Sequence, residues 1–237
     1  MEPLFGRTRL LLGESAMDAL SGASVIVFGV GGVGGWCAEA LVRSGIGHIA
    51  VVDDDMVAPS NANRQVTATA DTVGLAKAEV LARRLRAINP ALRIEARCER
   101  YAPETAGDFA LGDYNAVIDA IDSVSCKAHL LREACACGTG TAVFSSMGAA
   151  GRTDPGRIRS SRFSKVSGDA LAKALRTRFR RDGGFPSRDF TCVWSDEPME
   201  NRGTRLPEDG RANGSYMPVT AAFGMHLAAL AVRAIAG

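Results

Sequence analysis

Val25-Ile26-Val27-Phe28 runs straight into Gly29-Val30-Gly31-Gly32-Val33-Gly34, and this junction restricts the chain more than any other segment. The apolar run reads as a short buried strand. The G-x-G-x-x-G turn after it lets backbone approach a phosphate and opens a helix whose N-terminus faces that anion. A second apolar run, Ile49-Ala50-Val51-Val52, ends in Asp53. That is the interval of about 20 residues at which a strand-end carboxylate meets a ribose hydroxyl. Gly29, Gly31, Gly32, Gly34 and Asp53 therefore read as a nucleotide site at the carboxyl edge of a sheet.

The pattern around this junction predicts alternating elements. A helix is expected over 33–44, a strand over 48–52, a loop over 53–71 and a helix over 72–88. That last helix carries Val80, Leu81, Leu85 and Ile88 on one side and is stopped by Asn89-Pro90. Strands follow at 94–97, 116–119 and 142–145, with a helix over 124–137. The alternation implies an α/β fold: a doubly wound, Rossmann-like, mostly parallel sheet with a C-terminal extension. Residues 1–22 read as an N-terminal arm with a short helix near 15–20, and 23–150 as the nucleotide-binding core. Residues 151–237 read as a basic segment, a long mobile crossover loop (182–214) and a closing helix, all in the same domain. The apolar stretch 218–232 falls short of the ~20 residues of a membrane span and is interrupted by His226, so it reads as a buried helix with no membrane role.

Asn61-Ala62-Asn63-Arg64-Gln65, Lys77 and Asp119-Ala120-Ile121-Asp122 are not needed by a plain dinucleotide fold. A guanidinium at Arg64 can fork to phosphate oxygens and to the charge that develops on an attacked α-phosphate. Asn61 can hydrogen-bond phosphates, and Lys77 can hold the β- or γ-phosphate. Asp122, just past a strand, can ligate Mg²⁺ bridging phosphates. Asp119 reads as a brace for the backbone. Asp55 suits either a ribose contact or a solvated acidic loop. Two cations and paired carboxylates fit ATP that is cleaved better than NAD that stays intact. An NAD-dependent oxidoreductase explains the glycines and Asp53 but not Arg64, Lys77 and Asp122 together.

Formal net charge is only +2, yet Arg152–Arg181 holds ten Lys or Arg against Asp154 and Asp169. A uniformly basic coat is excluded. What is left is a basic patch on one face, either a track for nucleic-acid phosphates or a solvated helical surface. The six cysteines include no C-x-x-C pair, which argues against structural zinc. With a charged N-terminus and scattered cysteines, a reducing, cytoplasmic setting is expected. Cys192, between Thr191 and Val193, fits either a sulfur or thiol role or a place in a short strand.

Taken together, the glycine turn, the strand-end Asp, Asn-x-x-Arg-Gln, Gly74-x-x-Lys77 and Asp-x-x-Asp resemble, in order and spacing, the ubiquitin-activating-like superfamily of ThiF, MoeB and HesA proteins. The resemblance implies attack of a carboxylate on the α-phosphate of Mg²⁺-bound ATP, giving an acyl-adenylate and pyrophosphate. Asp53 would bind ribose, Arg64 and Lys77 the triphosphate, and Asp122 would act with Mg²⁺. It also implies a homodimer in which Arg9, or failing that Arg7, reaches the other subunit's site. A narrower resemblance rests on Asn63-Arg64-Gln65, residues 73–79, 118–123 and 191–197, Asn213-Gly214-Ser215, Val219-Thr220 and Phe223-Gly224-Met225. It is to the tRNA threonylcarbamoyladenosine dehydratases and covers almost the whole chain. It implies a tRNA substrate whose threonyl carboxylate is adenylated and then closed into a ring. Sulfur-transfer relatives add a cysteine-desulfurase-linked sulfur acceptor as a further expected partner. Ala170, where that family's pattern has Pro, and Pro3-Leu4, in place of a charged lead into Phe5-Gly6, depart from it. Rival readings are an activator of a ubiquitin-like sulfur carrier and a non-catalytic partner subunit.

Overall fold

The structure, a computed structural model, describes residues 4–204 and 213–237. One sheet is built from β1 (Ser24–Phe28), β2 (His48–Val52), β3 (Arg93–Arg97), β4 (Ala116–Asp119), β5 (Ala142–Ser146), β6 (Ile158–Arg162) and β7 (Thr191–Ser195). In space the order is β3-β2-β1-β4-β5-β7-β6, parallel throughout except for the antiparallel edge strand β6. The middle of the sheet is apolar on both faces. Val25 and Val27 of β1 join one core, while Ile26 and Phe28 join the other. This is the pattern of a strand covered on both sides.

The helices are α1 (Gly6–Leu12), α2 (Glu14–Gly22), α3 (Gly34–Arg43), α4 (Lys77–Ile88), α5 (Val124–Ala136), α6 (Ala170–Arg181) and α7 (Met217–Ala236). Leu20, Leu41, Leu81 and Phe223 place α2, α3, α4 and α7 over one face. Leu130, Leu131, Leu175 and Phe179 place α5 and α6 over the other. Chain direction across the sheet reverses between β1 and β4, so a crevice opens at their carboxyl ends, where ligands of such sheets bind.

Three expectations are corrected. The helix expected from residue 72 begins at Lys77, because Gly74 takes φ +83° and Ala76 is extended. Residues 73–76 instead pair back onto 56–57, with Val57 N–H donating to the Leu75 carbonyl at 2.8 Å and Gly74 N–H to the Val57 carbonyl at 2.9 Å. The region 182–214, expected as a mobile crossover loop, contains β7, a buried strand between β5 and β6. Its residues 205–212 lie outside the described residues. The N-terminal arm holds two helices rather than one short one.

The closing helix is also longer than expected: α7 runs 20 residues, beyond the apolar stretch 218–232, and is long and apolar enough to cross a membrane, but its Val219, Phe223, Leu227 and Ala231 are built into the core beside α3. The two helices meet at Gly224. A Cβ there would lie 2.5 Å from the Val33 carbonyl oxygen and 2.9 Å from the Cys37 amide nitrogen. Gly224→Ala should therefore push α7 off α3 and cost about 1–3 kcal/mol, read as a lower urea midpoint with an unchanged slope.

Candidate active site

The carboxyl ends of β1, β2, β4 and β5 open into a cavity of about 940 Å³. Its wall brings together Gly29, Gly31, Gly32, Asp53, Asp55, Asn61, Arg64, Lys77 and Asp122 from five separate stretches of chain. The turn after β1 is tight because Gly29 takes φ +79°, and a Cβ on it would lie 2.7 Å from the Ala120 carbonyl oxygen. Gly34 is buried behind the cavity rather than lining it. A Cβ there would meet the Gly29 carbonyl at 1.9 Å, so its role is to let α3 begin against the turn.

Asp53 ends the turn's support. Its carboxylate accepts the Val30 N–H at 2.7 Å and the Asp55 N–H at 3.0 Å. Burial pushes its pKa up, while those two amides and Lys77 pull it back. Lys77 is 5% exposed, and its Nζ donates to the exposed Asp55 carboxylate at 2.6 Å. The carboxylates of Asp53, Asp54 and Asp55 lie within 4.8 Å of one another, which favours holding the ammonium close. Arg64 donates to the Ser60 carbonyl at 2.9 Å and to Asn63 Oδ1 at 2.8 Å, and has no carboxylate partner among the described residues. Its stem lies over Gly32, where a Cβ would come 3.2 Å from Arg64 Cγ. Asn61 is buried with its Oδ1 accepting from the Ala58 N–H at 3.1 Å, which turns the side chain so that its amide nitrogen has no protein acceptor among the described residues. Asp122 is exposed at the cavity wall and has no ion-pair partner among the described residues.

Arg9, expected to serve the other subunit's site, lies on α1, pairs with Glu14 at 2.8 Å and does not line its own chain's cavity. Cys192 is fully buried in β7, in register with Ser145 and Ser161, and burial raises its thiol pKa well above the usual range. That placement does not present Cys192 as an exposed thiolate.

Asn63, Gln65 and Lys127 belong to the site although no role was read for them, Arg152 was read for a different one, and Asp119 was read as a brace for the backbone. Asn63 ties Arg64 to the C-terminal segment, its Nδ2 donating to the Ser215 carbonyl at 2.6 Å. Gln65 lines the cavity with a buried, unpartnered Oε1. Arg152, read as part of a basic track, is 4% exposed and lines the far half of the cavity with Gly148 and Asp169. Its guanidinium donates to Asp169 at 2.6 Å and to the carbonyls of Ser195 and Glu197. Under the floor, Lys127 Nζ pairs with Asp119 at 2.8 Å and donates to the Ile121 carbonyl at 3.1 Å, and both side chains are fully buried. Asp119 also accepts from Ser145 at 2.7 Å and from the Ile121 N–H at 3.2 Å. Burial pushes its carboxyl pKa up, and Lys127 and Ser145 oppose that. The group braces the 120–122 loop from below.

The ThiF family model matches residues 5–237. The chain belongs to the ThiF family. Among its curated relatives, tRNA threonylcarbamoyladenosine dehydratase of Escherichia coli is 40% identical over 82% of this chain and 74% of its own length. That of Bacillus subtilis is 39% identical over 81% and 74%. The crystal structure of the Escherichia coli dehydratase in complex with ATP superposes with a TM-score of 0.88 at 37% identity, covering 98% of this chain and 93% of that one. In this ThiF-family chain the buried Lys127–Asp119 pair is open to a direct test. Lys127→Met leaves a carboxylate buried without its counter-charge and should cost about 3–5 kcal/mol. Adding Asp119→Asn should recover most of that loss in a double-mutant cycle measured by urea unfolding.

Proposed function

We infer that this chain catalyses the ATP-dependent dehydration of threonylcarbamoyladenosine in tRNA. The observation that carries this reading is the convergence of Arg64, Lys77 and Asp122 on the glycine turn, in a cavity with a second half of its own. The similarity to dehydratases across nearly the whole chain supports the substrate.

Asp53 accepts a ribose hydroxyl, and the amides of the turn and the start of α3 face the phosphates. Lys77 holds the outer phosphates. Arg64 forks to the α-phosphate, where charge develops as the threonyl carboxylate attacks. Pyrophosphate leaves and an acyl-adenylate remains. The tethered carbamoyl group then attacks the acyl carbon and loses its proton, and AMP departs with one carboxylate oxygen. The tether gives a high effective concentration, so no protein nucleophile is required, which agrees with the burial of Cys192. A carboxylate without a partner beside the phosphates is a hard oxygen donor suited to Mg²⁺, so Asp122 would hold that ion. When bound, it would neutralise charge on the phosphates.

A homodimer completes the scheme. The arm exposes Leu4, Leu10 and Leu11 at 60%, 89% and 82%, an apolar surface suited to a second copy. Arg9 lies among them, outside the lining of its own chain's cavity, and would serve the cavity of that copy.

Two experiments test these readings. ATP–pyrophosphate exchange should depend on tRNA carrying threonylcarbamoyladenosine, and the nucleoside recovered should be the cyclised form. No exchange and no cyclised product would sink the assignment. In the same assay Arg64→Ala should lower the rate about 10²–10³-fold. For the arm, Leu10→Asp/Leu11→Asp should sediment as a monomer. Arg9→Ala should stay dimeric yet adenylate more slowly, whereas a dimeric double-Asp variant would remove α1 from the interface.

A further inference from the structure

The basic run between Arg152 and Arg181 does not form one surface. Arg152 is buried against Asp169. Arg157 and Arg159 are both engaged by Asp196, at 2.8 Å each. Arg176 turns inward, donating to the carbonyls of Phe163 and Val166. What faces outward on α6 is Lys173, Thr177, Arg180 and Arg181, opposite the buried Ala172, Leu175 and Phe179.

Of these, Lys173, Thr177 and Arg181 recur every fourth residue and so form a line along the helix. Lys173 has no ion-pair partner among the described residues. Asp182 is shared between Arg178 and Arg181, at 3.6 Å from the latter. The line is therefore net positive.

Its position matters as much as its charge. Lys173, Thr177, Arg178 and Arg181 line a groove of about 440 Å³ together with Val124 and Ala170. Ala170 also lines the large cavity, and Val124 follows Ser123, which is in the same wall. The groove thus begins at the cavity rim and leads away along α6. From Lys173 to Arg181 is about 12 Å at 1.5 Å per residue, long enough for the two cations to meet different phosphates of one strand.

We propose that this groove on α6 carries the sugar–phosphate backbone of the RNA next to the modified nucleoside, so that the nucleoside enters the second half of the cavity. The proposal rests on the tRNA reading above. Cations on a helix face contact phosphates without reading bases, so the grip is independent of sequence and sensitive to salt.

The test is titration of tRNA onto the full-length protein over a range of KCl concentrations. Lys173→Gln/Arg181→Gln should weaken tRNA binding about tenfold at 0.1 M salt. It should also flatten the plot of log K against log salt by about 1.5, as expected for two lost phosphate contacts at 0.7–0.9 each. ATP affinity and thermal midpoint should match the wild type. Thr177→Glu, which removes no cation, should weaken tRNA binding in the same direction. Arg83→Gln, at an exposed cation of α4 on the opposite face of the sheet, should change neither the affinity nor the slope. Wild-type binding with an unaltered double-Gln variant would overturn the surface while leaving the activity standing. A wild type that neither binds tRNA nor cyclises its nucleoside would remove both.

Discussion

The site depends on a contact in which there is no room for a carbon atom. The turn after β1 and the loop after β4 press together where Gly29 meets the Ala120 carbonyl, and α3 starts against the Gly29 carbonyl where Gly34 lacks a side chain. This puts the amide-rich turn, the start of α3 and the loop bearing Asp122 around one crevice. Any larger residue at either position would spread the two strand ends and separate the cations from the carboxylate. The rest of the sheet, apolar on both faces, is the rigid support that keeps this contact closed.

Beneath that contact, polar groups do what apolar packing cannot. A fully buried ion pair is weak evidence for stability, because desolvation offsets much of its attraction. Here Lys127 and Asp119 hold the loop that follows β4 by hydrogen bonds to both the carbonyl and the amide of Ile121. On the far side, Arg152 ties the segment after β5 to β7 and to the N-cap of α6 through Asp169. The two halves of the cavity thus have separate braces: Lys127 ties α5 to the β4 it follows, whereas Arg152 joins elements distant in sequence.

Much of this was legible along the chain where the cause was local. The glycine turn, Asp53 and the strands flanking them follow from short apolar runs and from spacing. The convergence of Arg64 and Lys77 was legible through motif order. What escaped depends on contacts between distant segments. The strand β7 is only five residues long, sits among Gly, Pro and Asp, and is stabilised by pairing with β5 and β6. The late start of α4 reflects the pairing of residues 73–76 with 56–57, to which helical periodicity is blind. Arg152 looked like one more surface cation because its partners lie seventeen or more residues away. Lys127 sits in an ordinary helical pattern, and nothing local announces that its ammonium is enclosed.

The bond between Lys77 and Asp55 carries one more implication. A nearly buried ammonium is costly without a counter-charge, and here an exposed carboxylate supplies it before any ligand arrives. On the proposed function, phosphate oxygens approaching Lys77 would come as substitutes for that carboxylate. Part of the attraction gained would be cancelled by the attraction given up, so the lysine would discriminate by the strength of the incoming charge. A highly charged polyphosphate would then displace the carboxylate, whereas a monophosphate would compete on much poorer terms.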